Sequence, residues 1–96
     1  MILIQNFDFL EDIIGYSINQ ENENIYLFGG FSISTKQISS KLIVYNTLSN
    51  TKTEYETNSK KYFHTSVIYE GYLYIHGGRT FTHFEDDFLK INLSKI

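Results

Sequence analysis

The residues best suited to chemistry in this 96-residue chain are three histidines, His64, His76 and His83, and the acidic run Glu85–Asp87. Neutral imidazole is a common metal ligand, but the chain has no His-x-x-x-His pair and no carboxylate pair that places ligands on one face. It also has no cysteine, which removes thiolate ligands, disulfides and thiol nucleophiles together. A Gly-x-Ser-x-Gly elbow and a phosphate-binding glycine loop are absent from the sequence. We therefore predict no catalytic residue, no metal site and no cofactor, and expect a binding protein that is not an enzyme.

Composition narrows the class of protein further. A chain of 96 residues suits one small domain, and its 17% aromatic content, eight Tyr and eight Phe, favours strands over helices. The net charge is −3 and the Lys and Arg residues form no basic stripe, so we do not expect nucleic-acid binding. No apolar run approaches the ~18 residues that a membrane span needs. The segment Met1–Leu10 lacks the basic region of a signal peptide, and we expect a cytoplasmic protein.

The sequence contains two copies of a strand pattern that ends in a glycine pair. The first glycines of the two pairs lie 48 positions apart, from 29 to 77. A spacing of this size indicates a repeated supersecondary unit. Glycine reaches positive φ and lets a neighbouring ring or backbone lie directly over it, so each pair is predicted to be a packing device at a strand end. The matched segments are Ile25–Phe28 with Gly29-Gly30 and Leu73–His76 with Gly77-Gly78, followed downstream by Leu42–Asn46 and Phe88–Asn92.

Alternating apolar residues and turn residues divide each copy into short strands. In the second copy, Tyr62–Tyr69 and Tyr72–His76 are predicted to form a hairpin around the two-residue turn Glu70-Gly71. We predict Ile25–Phe28 and Leu73–His76 to be central strands of two separate antiparallel sheets. The other predicted elements are the strand Ile13–Ile18, which pairs with Ile25–Phe28 across the turn Asn19–Asn24, and the strands Leu42–Tyr45 and Lys52–Thr57 around the turn Asn46–Asn50.

These residues resemble the kelch repeat, whose pattern runs from a basic residue and a strand-starting His to a glycine pair, a Tyr-Asp-like pair and a Trp. The second copy matches better, with Lys61, His64, Gly77-Gly78, Asp87 and Ile91-Asn92. The first copy has Gly29-Gly30 and Tyr45-Asn46, but Ile13 or Tyr16 stands in place of the His. The family Trp is missing because the chain contains none, and Tyr55 is a displaced substitute.

The resemblance implies an all-β fold of antiparallel four-stranded kelch blades, forming a partial β-propeller of about two blades. It divides the chain into an N-terminal segment 1–12, a first repeat 13–57 and a second repeat 62–96 that lacks its last strand. Met1–Gln5 is predicted to close a blade by pairing with Phe88–Ile91, or to be the last strand of another blade. The glycine pairs, Tyr45 and His64 are implied to be structural, with His64 hydrogen-bonded within or between blades.

The resemblance implies a function in protein–protein interaction, through the loops Phe31–Ser40 and Arg79–Asp87. The predicted contact residues are Arg79, Phe81, His83 and Phe84, which combine a fixed charge with aromatic surface. The alternative for Phe81 and Phe84 is that they pack between blades. One rival reading is a truncated piece of a longer kelch propeller with no independent function. The other is an enzyme like galactose oxidase, a copper radical oxidase whose Tyr–Cys crosslink this cysteine-free chain cannot form.

Two blades leave two outward faces uncovered, because repeat units bury their apolar faces against neighbours. We therefore predict self-association in a ring of two or three copies, added blades from a longer chain, or collapse of the two sheets face to face. The aromatics predicted to lie on the uncovered faces are Tyr26, Phe28, Tyr45, Tyr69 and Tyr74.

Overall fold

The computed structural model describes residues 12–82, 84 and 87–96. Within these residues the regular structure is all-β with antiparallel pairing, as predicted, apart from a short 3₁₀ turn at Leu93–Lys95. The predicted closing strand Met1–Gln5 and the predicted contact residue His83 lie outside the described residues.

A four-stranded sheet is built from the first copy of the pattern. Its strands are β2 (Ser17–Glu21), β3 (Asn24–Phe28), β5 (Lys41–Asn46) and β6 (Thr51–Glu56), side by side in that order. Two short strands, β1 (Ile13–Ile14) and β4 (Phe31–Ser32), pair separately with each other. As predicted, the segment that runs into Gly29 is a central strand, since β3 pairs with β2 on one side and β5 on the other.

The predicted strand Ile13–Ile18 is wrong in both extent and register. Gly15 adopts φ +69° and interrupts it, so Ile13–Ile14 pairs with β4 while β2 begins only at Ser17. The predicted long turn Asn19–Asn24 is also wrong. It shortens to two residues because Asn22, one of the residue types that tolerate left-handed backbone, adopts φ +56° and reverses the chain.

The second copy forms a three-stranded sheet with β8 (Tyr72–Arg79) between β7 (Tyr62–Tyr69) and β9 (Phe88–Asn92). The β7–β8 hairpin turns at Glu70-Gly71 as predicted, and both turn residues have positive φ, which suits the twist of the flanking strands. Strand β8 continues three residues beyond the predicted end at His76, passing through the glycine pair to Arg79. The loop to β9 is therefore anchored on a paired residue.

The two sheets pack face to face around one core. Phe28 and Leu42 from the first sheet and Leu73 and Ile75 from the second are at most 1% exposed, and Tyr26 is packed among them. The prediction that Tyr26 and Phe28 lie on uncovered faces is therefore wrong. Both side chains point toward the second sheet, because side chains alternate along β3 and the even-numbered ones face inward.

Tyr45 belongs to a different cluster. With Ile25 and Leu27 it lies on the far face of the first sheet, where all three are at most 7% exposed, packed against Tyr16 and Ile43. Tyr45 is thus buried instead of uncovered, and its hydroxyl donates a hydrogen bond to Asn50 Oδ1. Of the five aromatics predicted on open faces, Tyr69 is 63% exposed and Tyr74 is half-buried.

The pairing registers relate the two copies residue by residue. Ser17 lies opposite Phe28 in the first sheet, and Thr65 lies opposite His76 in the second. Ser17 and Thr65, like Phe28 and His76, are each 48 positions apart, so this register matches the sequence repeat. One residue earlier, Tyr16 occupies in the first copy the register position that His64 occupies in the second.

Candidate functional site

The junction between the two sheets is organised around His64. Its imidazole is buried, shares a hydrogen bond through Nε2 with Ser17 Oγ at 2.9 Å, and meets the Phe28 ring edge-on with centroids 5.3 Å apart. A second bond crosses the same junction, from Asn19 Nδ2 to Ser66 Oγ at 2.6 Å. Strands β2 and β7 are thereby held beside each other by side-chain hydrogen bonds.

The pKa of His64 is lowered to about 4, mainly by burial and in smaller part by the nearby positive charge of Lys61, while a hydrogen bond with the Phe28 backbone acts in the opposite direction. A histidine with this pKa is neutral at pH 7 and does not exchange its proton near neutrality. The chemistry of His64 therefore suits a packing and hydrogen-bonding role.

The first glycine pair lies against this junction. Gly29 has φ +71°, and a Cβ built on it would lie 2.6 Å from His64 Cε1 and 2.6 Å from the Lys61 carbonyl oxygen. The amide of Gly30 donates a hydrogen bond to that same carbonyl at 3.0 Å. In the second pair, Gly77 lies directly opposite His64 in the register, and Gly78 follows it. The absence of a side chain at Gly29 lets the second sheet approach the end of β3.

An ion pair with a buried lysine fastens the second loop to the same region. Lys61 Nζ lies 2.6 Å from Asp87 Oδ1, with the lysine side chain 1% exposed and the aspartate 49% exposed. The two residues are 26 positions apart, just before β7 and just before β9. A buried ammonium needs such a partner, because an unpaired charge in the interior is costly.

The aromatic end surface consists of residues gathered near the two glycine pairs. Phe31 and Phe81 contact edge-on with ring centroids 5.5 Å apart, and Phe31 lies 5.8 Å from Tyr62. The guanidinium of Arg79 lies 5.0 Å from the Phe84 ring centroid, within cation–π range. The members of this surface are Phe31, Tyr62, Phe63, Arg79, Phe81 and Phe84.

Phe63 is the unusual member. It has φ +58° within a strand, a conformation that bulky residues rarely adopt and that costs about 1–3 kcal/mol. Its amide donates to the Gly15 carbonyl at 2.8 Å, which fixes this backbone geometry. The ring is nevertheless 61% exposed and contacts Tyr62, with centroids 5.0 Å apart. A strained backbone that presents an aromatic ring to solvent is typical of a recognition position.

Three of the four predicted contact residues are described, and the structure brings them together. Phe81 is 58% exposed and Phe84 79% exposed, so these two rings are not buried between the sheets. Sequence reasoning missed Phe63, because its segment was read only as a strand. No local pattern could have found it, because its left-handed backbone is held by the carbonyl of Gly15, 48 positions away.

Among residues 12–82, 84 and 87–96 there is no group of three or more His, Asp or Glu side chains close enough to hold a metal ion. In the same described part, no helix is long and apolar enough to cross a membrane. No protein-family model matches the sequence, and the comparison with curated proteins returns no relative.

Proposed function

We propose that this chain is a cytoplasmic protein–protein interaction module made of two kelch-like blades, and that its aromatic end surface contacts the partner. The observation that carries the proposal is Phe63, a strained residue whose ring is 61% exposed among other aromatics. A residue retained only for packing would have its ring buried.

The composition of the surface supports a protein partner. Binding hot spots are enriched in aromatic residues and arginine, and they gain most of their energy when water is excluded from such groups. Phe81 and Phe84 offer exposed ring area, and Arg79 supplies a fixed charge held over the Phe84 ring. Arg79 itself is paired with Tyr62 in the β7–β8 ladder, so the charge is held on a rigid element.

The kelch assignment is supported by the matched registers of the two copies and by the contacts of His64 and Gly29. In this assignment the two sheets are neighbouring blades, and the described strands of the second blade are β7, β8 and β9. The rival interpretation is a piece of a longer propeller without independent function. It is favoured by the exposed side chains on the face of the second sheet that points away from the first, such as Val67 and Phe88. Solution size separates the two readings, because a piece of a propeller should aggregate through that face.

The test compares one surface variant with a matched control. Phe84→Ala removes a 79% exposed ring, and Leu48→Ala removes an 84% exposed apolar side chain from the β5–β6 turn. Tagged proteins are used to capture partners from a lysate of the source cells, and captured proteins are quantified by mass spectrometry. The proposal expects at least one protein retained by wild type and Leu48→Ala and lost by Phe84→Ala.

Phe63→Asn makes the test independent of folding defects. Asparagine tolerates the left-handed conformation, so the stability of this variant should stay unchanged or rise by about 1 kcal/mol. Binding to the captured protein, measured by calorimetry, should fall by tenfold or more. Loss of stability with unchanged affinity would show that Phe63 serves only the fold and would remove the main support for the proposal.

A further inference from the structure

The second sheet has one face that no described residue covers. We call it the outer face, and it is a grid of side chains from three paired strands that lines a groove of about 320 Å³. Val67 is 56% exposed, and Tyr69 and Phe88 are each 63% exposed. On this face, the side chains that pair across the three strands lie side by side in rows. The outer face consists of Thr65, Val67, Tyr69, Tyr72, Tyr74, His76, Phe88, Lys90 and Asn92.

The equivalent positions of the first sheet are covered. Residues 26 and 28 correspond to 74 and 76 through the repeat, and that face is the one buried against Leu73 and Ile75. There Tyr26 is 6% exposed and Phe28 is 1% exposed. The same position in the repeat therefore packs against a sheet in one copy and is open in the other.

Only one such face is open in the described chain, and this selects the kind of assembly. A head-to-tail ring would need a second open face, but Ile25, Leu27 and Tyr45 on the far side of the first sheet are already buried. A two-fold dimer needs a single self-complementary patch and closes on itself. We infer that the outer face of one chain packs against the outer face of a second copy, giving a symmetric dimer.

Lys90 fixes the orientation of this dimer. Its ammonium lies 4.3 Å from the Tyr72 ring centroid and 5.8 Å from that of Tyr74, and the outer face contains no carboxylate to neutralise it. A two-fold axis across the strands would bring the two Lys90 side chains together, and their like charges would repel. An axis parallel to β8 instead places Lys90 opposite Val67 of the partner subunit. Strand β8 then faces its own copy.

The size of the face sets the strength of the contact. Three strands spaced about 4.8 Å apart and five residues rising about 3.3 Å each cover roughly 14 by 17 Å. This area is well below the ~800 Å² per partner of a standard stable interface. The dimer should therefore be weak and concentration-dependent, with a dissociation constant in the micromolar range.

Sedimentation velocity over a hundredfold concentration range tests the dimer. Wild type should shift from monomer to dimer, while Phe88→Lys and Val67→Lys should weaken association at least tenfold, because each introduces a charge into the apolar contact. Both side chains are more than half exposed, so folding should survive, and circular dichroism checks it. Leu48→Lys, on an exposed turn away from the face, should associate like wild type. A wild type that stays monomeric throughout, or a Phe88→Lys variant that associates normally, overturns the inference.

Crosslinking tests the orientation. The chain has no cysteine, so His76→Cys introduces one thiol on the self-facing strand. A bifunctional maleimide spanning the ~10 Å between packed sheets should link two copies at position 76 but not at a Leu48→Cys control. Absence of linkage at position 76 in a dimeric sample overturns the parallel axis. This inference does not depend on the proposed function: Phe84→Ala should leave the dimer intact, and Phe88→Lys should leave partner capture intact.

Discussion

The contact between Gly29 and the second sheet gives a sharp prediction for Gly29→Ala. Its Cβ would lie 2.6 Å from both His64 Cε1 and the Lys61 carbonyl oxygen. Two costs add. Positive φ costs an alanine about 1–2 kcal/mol, and relieving an overpacked contact typically costs a further ~1–3 kcal/mol. We expect the free energy of unfolding to fall by about 2–5 kcal/mol, a large part of the ~5–15 kcal/mol that a domain of this size has.

Gly71→Ala is the matched control because its φ of +81° is similar but no atom lies within 4 Å of the new Cβ. The free energy of unfolding of Gly71→Ala should therefore fall only by the cost of positive φ, about 1–2 kcal/mol. Urea unfolding followed by circular dichroism measures both variants. A difference of about 2 kcal/mol corresponds to about 8–16 °C in melting temperature for a domain of this size. Equal losses in the two variants would refute the argument, because Gly29 would then be required only for its backbone conformation.

Three further predictions concern the junction between the sheets. Because burial lowers the pKa of His64 to about 4, the unfolded chain binds more protons than the folded one between about pH 4 and 6.5. The free energy of unfolding should therefore fall as the pH drops through this window. The variant His64→Asn should flatten that part of the stability profile, and an unchanged slope would contradict the pKa assigned to His64. Asp87→Asn should destabilise the protein by about 2 kcal/mol and Lys61→Met by less, since only the first variant leaves a buried ammonium without its carboxylate. A larger loss of unfolding free energy for Lys61→Met than for Asp87→Asn, measured by chemical denaturation, would contradict this reasoning. The bond between Asn19 and Ser66 should give a coupling energy of about 1 kcal/mol in a double-mutant cycle of alanine substitutions, and zero coupling would show that it does not hold the sheets together.

Local signals in the sequence predicted the strands that depend on local physics. The β7–β8 hairpin follows from alternating residues around Glu70-Gly71, because a turn of this type is specified by residues that accept positive φ. The spacing of the glycine pairs likewise predicted two sheets with matched central strands. The start of β2 was missed because Ile13 and Ile14 continue the apolar pattern across Gly15, and only the pairing with β4 separates them.

The faces of the strands and the surfaces of the molecule were decided by tertiary structure. The four residues of the segment Ile25–Phe28 are all apolar or aromatic. Alternation therefore could not predict which two of these side chains pack against the second sheet. The exposure of Phe63 depends on a left-handed backbone that is held by the carbonyl of Gly15, 48 positions away. By itself the sequence determined a repeated β pattern with aromatic loops. The assembly of these loops into one aromatic end surface, and the openness of one sheet face, follow from long-range packing that no local pattern encodes.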